Sequence, residues 1–321
     1  MNQLNGTSAF FLSIASVLRM NNEVIMRHEI IELSRKSYID EIRFIDSDRL
    51  TDDYIGDEQK FTGRQPADIM PDAKTVIIAA VYIGGFVTEN DPGYGRMSRL
   101  VLSGYYANIV RPLMPIKEYL ISRGYQAVIM DSESDIESIP LKGAAVKAGL
   151  GWIGKNSLLI NRKYGSFLAL GAVLTNADIS EKYPAAENRC GNCSKCMEIC
   201  PVKAIEVPQR LNRPKCLSYI LDGYSSNWDI LKKVGTDGYF FECDICQNAC
   251  PWNQRHIRTP LDTPYGRLFH GGKLNHMLKL DHLKSMDEEA YETELAPLMI
   301  GYKLPYKTFR RNIAILFRQA T

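Results

Sequence analysis

Eight cysteines occur in this chain, and all of them lie between positions 190 and 250. The first four form Cys190-Gly-Asn-Cys193-Ser-Lys-Cys196-Met-Glu-Ile-Cys200-Pro201, a C-x2-C-x2-C-x3-C-P run. The rest are Cys216 and then Cys243-Asp-Ile-Cys246-Gln-Asn-Ala-Cys250-Pro251, a distant cysteine followed by C-x2-C-x3-C-P. A cubane iron–sulfur cluster presents its irons at tetrahedral corners. A two-residue spacer lets successive thiolates reach neighbouring corners while backbone N–H groups point at the sulfides. The cysteine before proline follows a helical turn, faces away, and ligates the other cluster. The proline itself has no N–H to compete.

Paired in this way, Cys190, Cys193, Cys196 and Cys250 hold one [4Fe–4S] cluster. Cys200, Cys216, Cys243 and Cys246 hold the second, and no cysteine is left over. Clusters so interleaved are close neighbours, which suits electron relay. Structural zinc and disulfides are the competing explanations. Zinc sites often add histidine to C-x2-C pairs, and neither run contains one. A secreted disulfide protein usually spreads its cysteines more widely. The chain shows no export signal, because no basic residue precedes the apolar stretch Phe10–Leu18. The expected compartment is therefore the reducing cytoplasm, with the thiols as metal ligands.

A chain of 321 residues accommodates one large domain or two moderate ones. Hydrophobic residues make up 45% and charged residues 24%, which excludes wholesale disorder, collagen and low complexity. No apolar run approaches the roughly 20 residues of a membrane helix. The net charge of +2 neither demands nor excludes nucleic acid.

The elements that must carry the clusters fall into four stretches. Residues 1–28 read as an N-terminal extension, with Met20 and Met26 as alternative starts. Residues 29–185 read as a mixed α/β domain. A helical pattern begins at Glu29, running through Ile30, Ile31 and Leu33 to Tyr38, Ile39 and Ile42. Strands are expected at Glu41–Ile45, Lys74–Ile83, Gln126–Met130, Ser157–Ile160 and Ser166–Leu174. Helices are expected at Val110–Arg123, stopped by Gly124, and at Lys142–Ala148, stopped by Gly149. Residues 186–255 form a bacterial two-cluster ferredoxin-like module, and 256–321 a short helical segment, clearest at Phe309–Arg318. The fold class is α+β. Gly149-Leu-Gly151-Trp-Ile-Gly154 has the G-x-G-x-x-G form but follows a helical stretch, so it is no dinucleotide fingerprint.

The chain resembles the epoxyqueuosine reductase family over roughly residues 29–318. The resemblance rests on PLKGAAVKAGLGWIGKNSLLI from Pro140 to Ile160, then Tyr164-Gly165-Ser166 and Leu170-Gly171. It also rests on both cysteine runs, with Lys215-Cys216-Leu-Ser-Tyr219 and Cys250-Pro-Trp-Asn253. Gly95-Arg96-Met-Ser-Arg99 with Tyr105-Tyr106, and Phe309-Arg310-Arg311-Asn312-Ile313-Ala314, match as well. The resemblance implies a cytoplasmic cobalamin enzyme with two [4Fe–4S] clusters. Such an enzyme reduces the epoxide of epoxyqueuosine in a tRNA anticodon loop to the alkene of queuosine. It implies that the N-terminal domain holds cobalamin and is related to that of reductive dehalogenases. No D-x-H-x-x-G motif is present to supply a lower axial histidine.

The family's proton donor is an aspartate upstream of the AGLGW segment. Counting back from Trp152 without gaps places Asp135 there, with Asp131 as the alternative if the loop carries an insertion. Desolvation beside an apolar corrin would raise such a carboxyl's pKa, as a general acid requires. Lys155, Asn156 and Ser157 would hydrogen-bond corrin amides or the nucleotide loop, with Arg64 and Tyr106 nearby. Gly149, Gly151 and Gly154 would let the backbone approach the corrin, or serve only as turn glycines. Trp252 would pack around a cluster. Arg255, His256 and Arg258, with Lys303, Lys307, Arg310, Arg311 and Arg318, would meet tRNA phosphates or form an ordinary solvated face. An external low-potential electron donor is implied.

The sequence departs from the family at Tyr105-Tyr106-Ala107, where Asp-Tyr-His is common, and in a proline shifted to Pro140. These departures leave open another small organic substrate on the same machinery. A non-catalytic electron-transfer protein is the third reading, though it gives the large N-terminal domain no role.

Overall fold

The computed structural model describes residues 22–48, 50, 64–87, 91–104, 110–130, 138–259, 261–268, 271–299 and 304–320. The strands are β1 (Glu41–Asp46), β2 (Thr75–Tyr82), β3 (Arg96–Met97), β4 (Ala127–Met130), β5 (Trp152–Ile153), β6 (Leu159–Ile160), β7 (Leu168–Thr175) and β8 (Tyr239–Phe241). The main sheet has the order β1-β2-β7-β4, and each neighbouring pair is antiparallel.

The two central strands explain their own sequences. All eight residues of β2 (TVIIAAVY) are buried, and seven of the eight in β7 (LALGAVLT). A continuous apolar run of this kind needs cover on both faces. Helix α1 (22–36) and helix α2 (Val110–Ser122) cover one face. There Met26, Ile30, Leu113, Ile116 and Leu120 meet Ile77, Ala79, Val81 and Val173. Helix α3 (Leu141–Lys147) covers the other, setting Ala144 and Ala145 against Val76, Ile78, Ala80 and Leu174. Gly149 ends that turn with φ +67°, a conformation glycine adopts without strain.

Helix α1 is already formed at residue 22, so residues 22–28 of the expected extension belong to the layer over the sheet. Arg27 fixes this part by pairing with Glu181 at 3.0 Å. The helix also ends earlier than the pattern suggests, at 36. Tyr38 turns with φ +66°, and Ile42 lies in β1.

A second layer is built from distant segments. Strand β3 runs parallel to β8, with Arg96 opposite Tyr239. Met97 and Val101 share a core with Phe240, Phe241, Leu278, Leu283 and Phe309. Residues 93–102 thus also pack on the C-terminal helices, and Gly95 N–H donates to Leu278 O at 2.8 Å. The long helix Tyr306–Ala320 closes this core. No helix among the described residues is long and apolar enough to cross a membrane.

Candidate metal centres and the adjoining hairpin

Both cysteine runs fold into short helical turns that pack on each other, α4 (Lys195–Ile199) and α5 (Ile245–Asn248). Cys200 follows α4 with φ −58° and ψ 113°. Cys250 lies beyond α5 and opens α6 (Pro251–Arg258), with φ −69° and ψ 126°. In each case the following proline forces the cysteine out of the helical conformation, so its thiol leaves the turn that precedes it.

The eight thiols gather into two groups. Burial pushes Cys196 up to about 11, and the charges of Cys250, Cys190 and Cys193 push the same way. Cys250 thus joins three cysteines of the other run. Burial likewise pushes Cys216 up to about 11, with Cys200 adding to it and the Ser218 and Tyr219 N–H groups opposing. Cys243 rises well above an ordinary thiol through burial, then Cys246 and Cys216. Cys246 rises through burial, Cys216, Asp244, Cys200 and Cys196. The packing of α4 on α5 sets the two groups side by side. The eight cysteines are free of disulfides. Crowding and burial hold Cys196, Cys216, Cys243, Cys246 and Cys250 against ionisation unless a cation compensates them, and iron supplies that compensation. Backbone N–H groups already point at sulfur, Ala204 N at 3.3 Å from Cys200 Sγ and Ile245 N at 3.4 Å from Cys243 Sγ.

The first group abuts the β5–β6 hairpin. Trp152 and Ile160 pack with Cys250, beside Cys190 and Trp252. Trp152 meets Trp252 edge to face, with centroids 5.0 Å apart. Gln209 clamps the hairpin, its N–H donating to Lys155 O at 3.0 Å and its Nε2 to Ile153 O at 2.8 Å. Asn188 Nδ2 reaches Ile153 O at 3.4 Å and its Oδ1 accepts from Cys190 N at 3.0 Å. Three buried donors on this hairpin have no hydrogen-bond partner: Trp152 Nε1, Asn156 Nδ2 and Ser157 Oγ. Ser157 also carries φ +62°, which a serine rarely adopts. Orphaned donors in a strained turn beside a redox centre fit a cofactor rich in amide carbonyls. The missing Cβ of Gly151 has a simpler cause, because that atom would stand 2.2 Å from Ile160 O. Gly154 is likewise crowded by Ile160 and Asn156, so the hairpin itself has no room for a Cβ at either position.

A second junction joins Tyr164-Gly165-Ser166 to the segment after Cys250. The Asn253 side chain is fully buried. Its Oδ1 accepts from Ser166 N, and its Nδ2 donates to Ser166 Oγ and Gln247 O, each at 2.8 Å. A third junction pairs Arg99 with Asp244 at 3.1 Å. The sequence reading missed the chemistry of Arg99, Asp244, Ser166 and Asn253 because their partners are far away in the chain. Their one signal was membership of the matching motifs.

Asp135, Asp131, Tyr106, Ala107 and Lys303 lie outside the described residues. Arg64 is exposed, and its N–H donates to Ser138 O at 3.1 Å. Lys155 is half-buried. His256 is no phosphate contact: it is 3% exposed, and burial, then Arg255, lower its pKa. Its Nε2 lies 3.0 Å from Arg255 Nε and 2.8 Å from Lys163 O. Arg311 is half-buried and donates to Ile220 O at 2.9 Å, whereas Arg310 stays exposed while donating to Lys284 O at 2.7 Å.

Residues 189–253 match the family described as "4Fe-4S double cluster binding domain". The chain is 33% identical over 247 residues to the epoxyqueuosine reductase of Atelocyanobacterium thalassa, covering 76% of this chain and 78% of that protein. It is 33% identical over 194 residues to that of Synechocystis sp., spanning 59% of this chain and 65% of the relative's length. Among solved structures, that of an epoxyqueuosine reductase with an epoxyqueuosine-modified tRNA-Tyr stem loop superposes with a TM-score of 0.74 at 20% identity. The match covers 93% of this chain and 82% of that one. The Streptococcus thermophilus enzyme gives 0.69 at 22%, covering 91% and 80%. These likenesses show a shared fold.

Proposed function

The chain belongs to the epoxyqueuosine reductase family, and from that premise we propose that it reduces the epoxide of epoxyqueuosine in a tRNA anticodon loop to the alkene of queuosine. The net change is epoxide plus two electrons and two protons giving alkene plus water. We read residues 29–185, together with the first turns of α1 from residue 22, as the cofactor- and substrate-bearing part, 186–255 as the cluster module and 256–321 as a helical segment bracing both.

The observation that carries this reading is the contact between the first cysteine group and the Trp152 hairpin. Cys190, Cys193, Cys196 and Cys250 would hold one [4Fe–4S] cluster, and Cys200, Cys216, Cys243 and Cys246 the other. Bound clusters supply single low-potential electrons, and cobalamin supplies the reductant at the substrate carbon. The chain's own residues do the rest. The short turns α4 and α5, which carry cysteines of both groups, pack on each other, so electrons would pass between the groups within the protein. Trp152, Trp252 and Ile160 keep water from the first group where it meets the N-terminal half. Asn156 Nδ2 and Ser157 Oγ would donate to cobalamin amide carbonyls, with Lys155, Arg64 and Tyr106 around them. Gly151 shapes the hairpin. Asp135 would protonate the departing oxygen, with Asp131 as the alternative.

The electron source is a separate low-potential donor, and the place of action is the cytoplasm, where tRNA is found. Anaerobic reconstitution tests the whole. About eight irons and eight sulfides per chain are expected, as two cubanes require. Added cobalamin should bind with a changed absorption spectrum, and epoxyqueuosine-bearing tRNA should yield queuosine. Cobalamin that does not bind under reducing conditions sinks the proposal. Bound cobalamin with untouched tRNA redirects it to another organic substrate. Asp135→Asn should abolish turnover with both clusters intact; full turnover there, and its loss in Asp131→Asn, would move the acid to Asp131.

A further inference from the structure

Among the described residues, the most deeply buried ion pair joins the two halves of the chain at the second cysteine group. Arg99 and Asp244 have side chains only 8% and 2% exposed. Asp244 stands between Cys243 and Cys246. Its Oδ2 accepts from Arg99 N at 2.8 Å and from Arg99 Nη1 at 3.1 Å. The same Nη1 donates to Asn248 Oδ1 at 2.8 Å, and Nε donates to Gly84 O at 3.3 Å. The guanidinium lies over Phe167, 4.1 Å from the ring centroid. Asp244, Asn248, Gly84 and the Phe167 ring therefore hold Arg99 in place.

Such a pair is weak evidence for stability, since desolvation consumes most of the attraction. Its position gives it a different effect. Fixed charges act strongly through a poorly solvated interior, and cluster potentials follow net charge, hydrogen bonds to sulfur and exposure. Asp244 is fixed in the loop between Cys243 and Cys246, next to one ligand and two positions from the other, and Asn248 of the same turn also holds Arg99. The negative end of the pair thus belongs to the cysteine loop, and the positive end to the N-terminal half.

We propose that the Arg99–Asp244 pair sets the reduction potential of the cluster held by Cys200, Cys216, Cys243 and Cys246, Asp244 driving it down and Arg99 limiting the drop. The inference rests on the two-cluster reading above. The step it governs is a one-electron transfer, in which an external donor is oxidised by one electron and the cluster reduced by one, with no bond made or broken. A low second potential drives the electron on toward the first group and the Trp152 hairpin. Arg99 acts through space and through Asp244, so it is a positioning residue.

The test is a redox titration of the anaerobic full-length holoprotein, followed by electron paramagnetic resonance at fixed pH after iron has been counted. Arg99→Gln should weaken the electron affinity of one cluster about tenfold, equivalent to about 59 mV downward for a one-electron couple. The other cluster should move less. Asp244→Asn should move the same cluster upward, and the double variant should return close to the parent. Arg99→Lys, which keeps the charge and loses the fork, should stay near the parent. A drop in Arg99→Lys as large as in Arg99→Gln, or a double variant that does not return, overturns the proposal, because geometry rather than charge would then be responsible. Should Arg99→Gln fail to assemble the cluster, Asp244→Asn decides, and an unchanged or lowered potential there overturns the proposal. A parent protein without iron refutes the two-cluster reading itself, and does so before any potential is read.

Discussion

Gly165 and Asn253 fit together so closely that a Cβ on the glycine would lie 1.9 Å from Asn253 Oδ1. Gly165 also holds φ +66°, so a side chain there is strained before any clash is counted. This contact is where the β6–β7 turn locks onto the segment following Cys250. Gly165→Ala should lower stability by about 2–3 kcal/mol, from backbone strain and overpacking together. The urea midpoint reads it. Asn253→Ala should cost about as much, since Ser166 and Gln247 lose buried partners. If both variants unfold with the parent, the junction is not the clamp described.

The grouping of thiols across the two runs yields a sharper expectation. Cys250 lies in the second run yet sits with the first group, while Cys246 sits with the second. Cys250→Ala should therefore remove the first cluster and spare the second, and Cys246→Ala the reverse. Iron should fall from about eight to about four per chain in each case. The two variants should leave different paramagnetic signals. Identical residual signals would contradict the crossed assignment.

Much of this arrangement was legible in the residues, for reasons of period and spacing. The strands over Lys74–Ile83 and Ser166–Leu174 announced themselves as unbroken apolar runs, and the two C-x2-C-x3-C-P repeats indicated thiols shared between groups. Other features left no local trace. Strand β3 has two residues, too few for any alternation to show. The start of α1 is masked by Asn22, Glu23, Arg27 and His28, polar residues on its outer turns. Ser157 was expected to begin a strand, but its positive φ places it in the turn before β6. Arg99 and Asp244 lie 145 positions apart, and nothing in either neighbourhood identifies the partner.

The other end of the sheet carries a pH dependence. Burial raises the Asp40 carboxyl from 3.8 to about 6, against the opposing effects of the Tyr82 N–H and the Lys163 charge. Its Oδ2 accepts from Tyr82 N at 2.7 Å. The folded state therefore holds this proton more tightly than the unfolded chain. The associated stability is present below 3.8 and is lost as pH rises to about 6. Asp40→Asn, which can still accept from Tyr82, should be more stable than the parent at pH 7, and the advantage should shrink on acidification below about 6. Denaturant midpoints across pH 5 to 8 measure it. An advantage that does not change with pH would assign the effect to packing.

Ser157 separates function from stability most directly. Its hydroxyl is buried without a partner and its backbone is held at φ +62°, both of which cost the free protein stability. A residue kept only for the fold would do neither. Ser157→Gly relieves the strain and removes the orphaned hydroxyl, so the cobalamin-free protein should gain about 1 kcal/mol. The same change removes a donor from the proposed cofactor site, so cobalamin affinity should fall about tenfold, the worth of one buried hydrogen bond. Asn156→Leu should act in the same sense on affinity, because it removes the neighbouring orphaned Nδ2. Thermal unfolding without cobalamin and spectral titration with it read the two quantities independently. Opposite movements of stability and affinity mark the hairpin as a binding element; a stabilised Ser157→Gly that binds cobalamin as the parent does would leave the orphaned donors without that role.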